Sequence, residues 1–129
     1  MSRLFLGLPL LVVTGCLTPA TYPTQYAVQL CASAFTCVND DELTDDDGWE
    51  DELTCVDAVT DLGEATPGWR GVQDGACTFE ASEAQACIDA LVDVRSASSC
   101  TGDMTLVDFA TESTDASCAR VYDCLGVDE

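Results

Sequence analysis

Nine cysteines in 129 residues carry most of the chemistry that this sequence could perform. Eight of them, Cys31, Cys37, Cys55, Cys77, Cys87, Cys100, Cys118 and Cys124, follow Cys16 in a stretch with no histidine and no lysine. A thiol can act as a nucleophile, a metal ligand, a redox partner or half of a disulfide, and spacing separates these uses. Structural zinc sites need close C-x₂₋₄-C pairs or histidine partners, and neither occurs here. No C-x-x-C pair exists for thiol exchange. Eight cysteines in a short chain read instead as four disulfides, with on the order of a hundred possible pairings. Each bridge stabilises by about 2–4 kcal/mol, chiefly by restricting the unfolded chain.

Other catalytic chemistry is thin. Without histidine or lysine, the commonest general bases and Schiff-base formers are missing, and Ser–His or Cys–His pairs cannot be built. Gly68, Gly71 and Gly75 are too loosely spaced for a phosphate loop and precede no G-K-[ST]. Among 24 acidic residues a carboxylate pair is always available, so such a pair says nothing about glycoside hydrolysis. The expectation is a protein that is not an enzyme and uses no cofactor.

Cys16 stands apart from the other eight. Arg3 is followed by an apolar run from Leu4 to Val13, and small residues Thr14 and Gly15 precede the cysteine. A charged start, an apolar run of this length and a small-residue exit describe a secretory signal. The run falls well short of the ~20 residues that a spanning helix needs, and Pro9 interrupts it. Val13-Thr14-Gly15-Cys16 resembles a bacterial lipobox, the site where cysteine receives a diacylglyceryl group before the leader is removed. That resemblance implies a signal peptide at 1–15, lipidation at Cys16 and a membrane partner through acyl chains. Leu17 lacks the aspartate that favours inner-membrane retention in many bacteria, so the resemblance leans toward an outer-membrane lipoprotein of the cell envelope. The rival reading is a secreted inhibitor or effector cleaved after Ala20, a cut that Pro19 makes poor.

From Cys16 onward, 114 residues suffice for one domain with a modest core. All 24 acidic residues lie there, against Arg70, Arg95 and Arg120. So negative a chain is a poor match for nucleic acid or anionic lipid heads. It suits a solvated surface, or a cationic ligand or partner.

The elements that must position these groups read as helices. Residues 16–24, with Pro19 and Pro23, are expected to form an extended tether of up to ~25 Å, and 25–129 the acidic disulfide-rich domain. From Thr24 to Val38 the residues Ala27, Leu30, Cys31, Ala34, Phe35, Cys37 and Val38 share one face. Within that helix Cys31 and Cys37 would lie ~9 Å apart, too far to bridge each other, so each must reach a different neighbour.

The acidic stretch 40–52 includes Asp45-Asp46-Asp47-Gly48. Placing Gly48 at position 6 of an EF-hand puts Leu43 first and Thr54 last, where Asp and Glu are required. A looser calcium or cation site using Asp45, Asp46, Asp47 and Glu50 is the alternative to an acidic lead-in to a helix. That second helix is expected over Trp49 to Leu62 and stopped by Gly63. Residues 64–76, with Pro67, Gly68, Gly71 and Gly75, read as a loop carrying Trp69 and Arg70. A third helix is expected over Ala81 to Arg95 and a last one over Asp115 to Leu125, while Met104 to Ala110 fits helix or extended chain.

The pattern of Cys31-x₅-Cys37, Cys77 ahead of a helix bearing Cys87, then Cys100 and Cys118-Ala119-Arg120-Val121-Tyr122 is similar to small cysteine-rich lipoproteins of myxobacteria and their relatives. The resemblance implies an all-α, disulfide-rich bundle of about four helices and no particular activity. The functional expectation is a lipid-anchored envelope protein with a binding or structural role.

Overall fold

The structure is a computed structural model and describes residues 17–45 and 48–124. Six α-helices dominate it. They are α1 (Tyr22–Cys37), α2 (Asp40–Asp45), α3 (Glu52–Glu64), α4 (Pro67–Asp74), α5 (Ala81–Val94) and α6 (Leu106–Ser113). A 3₁₀ turn at Ala116–Arg120 follows, and two short strands, β1 (Thr78–Phe79) and β2 (Tyr122–Asp123), pair antiparallel with Phe79 opposite Tyr122.

Helix α1 is the axis of the fold. Pro23 sits in its first turn, where a missing N–H costs nothing, and Val38 leaves it in extended backbone. Its apolar residues recur at helical spacing, so that Ala27, Cys31, Ala34 and Cys37 are all buried. They pack chiefly against α3 and α5. The buried Ser33 hydroxyl donates to the Leu91 carbonyl at 2.6 Å, which satisfies a polar group that would otherwise be costly between α1 and α5.

Apolar burial is divided among three small clusters rather than one large core. Val38, Leu43, Val94, Met104 and Phe109 form the first. Tyr22, Ala84, Cys87, Ile88 and Val121 form the second. Ala27, Cys31, Cys55 and Val59 form the third. Disulfides join what these clusters alone hold loosely. Cys31–Cys55 ties α1 to α3, and Cys37–Cys100 ties the end of α1 to the turn after α5. Cys87–Cys118 ties α5 to the 3₁₀ turn, and Cys77–Cys124 closes the ends of the two strands. Cys31 and Cys37 therefore reach different neighbours, as their helical separation requires.

Several expectations give way to the structure. The all-α, disulfide-rich class holds, with six helices among the described residues rather than about four. Residues 17–24 are not an extended tether: Thr18 and Thr21 form a hydrogen-bonded turn, and α1 begins at Tyr22. The folded unit accordingly starts before residue 25. Gly63 does not stop α3, which runs on to Glu64. A Cβ at Gly63 would lie 3.2 Å from that of Pro23, so this glycine serves close packing of α3 on α1.

The stretch 64–76 is not a loop. Thr66 accepts from the Trp69 N–H to cap α4, Pro67 opens it, and Gly75 closes it at φ 83°. Part of the acidic stretch is the helix α2, and α3 starts at Glu52 rather than Trp49, capped by Asp51. The last helix is a 3₁₀ turn followed by a strand. The chain opens at Val121, whose carbonyl accepts from Glu80 N–H, and Tyr122 then pairs with Phe79.

Candidate functional site

Helix α1 packs on α5 and on α3, and along its seam with α3 one stripe of it borders an open groove. Tyr22 and Tyr26 are one turn apart on that stripe, and Leu30 lies one turn further. Helix α3 forms the facing wall through Val59 and Leu62. Tyr122 closes one end and Trp49 the other. The result is an open groove of about 440 Å³, within the range of small-ligand pockets. Among the described residues no charged side chain lines it.

The Tyr22 end is held rigidly by aromatic contacts. The Tyr22 ring lies 5.9 Å from Tyr26, 5.7 Å from Phe79 and 6.2 Å, edge-on, from Tyr122. Its hydroxyl points at Cys87 Sγ, 3.4 Å away. Burial, with the neighbouring Tyr26 and Tyr122 phenols adding to it, holds the Tyr22 hydroxyl above its usual range. Burial also raises Tyr26 and pushes Tyr122 up to about 12. These phenols stay neutral near pH 7 and offer ring faces and hydroxyls rather than bases.

The two ends of the groove meet acidic surface. Glu50, Asp51 and Glu52 follow Trp49 in the chain, and all three are exposed. Asp123 follows Tyr122 and is also exposed. Asp51 is held below the usual carboxylate range because it accepts from the Thr54 N–H at 2.8 Å. Arg120, near the Tyr122 end, is bound to Glu83 at 3.1 Å.

The residues singled out from sequence distribute differently. The eight paired cysteines are scaffold, and a bridged sulfur is neither nucleophile nor ligand. Cys16 lies outside the described residues, as do Asp46 and Asp47. Asp45 ends α2 with its side chain exposed, and Glu50 lies beyond Gly48. Among the described residues no group of three or more His, Cys, Asp or Glu side chains comes close enough to hold a metal ion.

Trp69 folds back onto the chain: its indole N–H donates to the Pro19 carbonyl at 3.0 Å. What the sequence reading missed is the groove itself. The signal was Tyr22 and Tyr26, which continue from Leu30 at four-residue intervals towards the start of α1.

With its neutral aromatic walls, the groove is equipped to hold an apolar body. Comparison of the chain with known protein families, with curated proteins and with solved structures gives no match.

Proposed function

We propose that this is an exported, lipid-anchored protein of the cell envelope, on the outer membrane, that binds a partner and performs no catalysis. The observation that carries the reading is the closed set of disulfides. All eight cysteines after Cys16 pair with one another. None of the described cysteines is left to pair with Cys16, in keeping with the fate that its lipobox-like setting suggests. Four bridges also fit an oxidising compartment outside the cytoplasm. Three acyl chains, as in mature bacterial lipoproteins, would make release from the bilayer negligible, since one chain alone binds only marginally at ~0.8 kcal/mol per CH₂.

The packing of the first described residues favours cleavage before Cys16 over cleavage after Ala20. Leu17 packs against the cluster of Tyr22, Ile88 and Val121, and the Pro19 carbonyl accepts from Trp69. A cut after Ala20 would strip both contacts from the folded domain. A cut before Cys16 leaves them whole and sets the domain close to its anchor, because 17–24 is folded rather than extended.

The experiment is membrane fractionation of the wild-type chain and of Cys16→Ser expressed in a lipoprotein-processing bacterium. The wild-type protein is expected in the outer-membrane fraction and the variant in soluble extract. Equal partition of the two would rule out Cys16 as the anchor.

A further inference from the structure

We infer that the groove between α1 and α3 is the docking site for a basic amphipathic helical segment of a partner protein. The inference deepens the binding role proposed above by naming the partner's chemistry, and it does not rest on the anchor.

The length of the groove suits a helix. It follows α1 from Tyr22 to Leu30, a rise of ~12 Å at helical pitch. Apolar anchors at i, i+4 and i+7 of a bound helix span ~10.5 Å, and helix-in-groove recognition is read through such anchors. The walls match these anchors in kind. Tyr26 and Trp49 give partly exposed ring faces over a floor that includes buried Tyr22, and Leu62 stands 68% exposed at the edge. A large apolar side chain so exposed beside an apolar trough is one that a partner would cover.

Charge selects the partner. The lining is neutral, so an apolar ridge can enter without burying an ion. Exposed Glu50, Asp51 and Glu52 follow Trp49 directly in the chain at one end, and exposed Asp123 follows Tyr122 at the other. Arg120, the cation nearest the Tyr122 end in sequence, is already paired with Glu83. A helix with lysines or arginines flanking its apolar ridge would meet carboxylates at both ends, whereas an acidic or neutral helix would gain nothing there. A chain with a net charge of −20 also steers cationic partners toward it and repels a second copy of itself.

The test uses the full chain carrying Cys16→Ser, exported and oxidised, so that lipid plays no part in the result. The probe is a synthetic lysine-rich helix with leucines at i, i+4 and i+7. Its controls are a scrambled sequence of the same composition and a version with glutamate for lysine. Binding is followed by calorimetry and by tryptophan fluorescence.

The patterned basic probe is expected to bind at least about tenfold more tightly than either control. Leu62→Asp should weaken it by a similar factor, while Leu53→Asp, on an equally exposed leucine of α3 that does not line the groove, should leave it unchanged. Binding that is equal for the scrambled probe, or equally reduced by both substitutions, would overturn the proposal in favour of unspecific charge attraction. Concentration-dependent dimers that Leu62→Asp abolishes would overturn it in favour of a second copy.

Discussion

The indole Nε1 of Trp69 donates to the carbonyl oxygen of Pro19 across fifty residues of sequence, at 3.0 Å. This bond fastens the segment that follows Cys16 to α4, and it is partly shielded from water. Trp69→Phe keeps the apolar bulk and removes the donor. We expect a loss of about 0.5–1.5 kcal/mol in denaturant unfolding. Faster hydrogen exchange should be confined to Leu17 through Tyr22. Unchanged exchange in that segment would show that the bond does not hold it.

Gly71 lies against the Cys77–Cys124 bridge. A Cβ there would overlap Cys77 Sγ, and a bridged sulfur cannot swing away. Gly71→Ala should therefore destabilise by about 1–3 kcal/mol despite alanine's better helix propensity. Gly75→Ala is strained for a different reason, since its φ is 83° with no atom near its missing Cβ. Thermal melts of both, with free thiols counted after refolding, separate the two causes. Only the Gly71 variant should leave unpaired sulfur.

The four bridges should not be equal. Cys37–Cys100 spans 63 residues and Cys31–Cys55 spans 24. Loop-closure entropy gives roughly 4.3 and 3.4 kcal/mol for the two. Paired Cys→Ser variants should follow that order in denaturant midpoint with the other bridges intact. The reverse order would mean that packing around the sulfurs outweighs the chain entropy.

Alkaline pH should unfold the protein through its tyrosines. Tyr22 and Tyr122 hold their protons more tightly in the folded state than the ~10 of an unfolded tyrosine. Below pH ~10 both states are protonated and no stability is lost through these groups. As pH rises through that value the unfolded chain ionises first, so stability falls progressively. Tyr22→Phe should move the midpoint of alkaline unfolding upward, followed by circular dichroism and tyrosinate absorbance. An unmoved midpoint would assign the transition to other groups.

Much of the helical scaffold is legible in the sequence, and the reason is periodicity. Ala27, Cys31 and Ala34 mark α1, and Ala84, Cys87, Ile88, Leu91 and Val94 mark α5, because their buried faces are narrow and the pattern records them. Punctuation residues misled where their context was tertiary. Gly63 reads as a helix stop, yet it is there so that Pro23 can approach. Pro67 and Gly68 read as a loop, yet Thr66, Pro67 and Gly75 are the caps of a two-turn helix. The stretch from Asp115 to Leu125 reads as a last helix. Its backbone is instead drawn off by pairing with Phe79, a partner that no local pattern reveals. The groove was hidden for a related reason: α1 carries apolar residues around much of its circumference, and only the structure tells where its packing against α3 leaves a gap.

Export with Cys16 as the anchor is the central claim, and intact mass spectrometry of the native protein tests it most directly. The measurement should give a chain that begins at Cys16, heavier than its sequence by acyl groups, and that gains the mass of eight hydrogens on reduction. A chain that retains Met1 to Gly15, carries no acyl mass and gains nothing on reduction would contradict it.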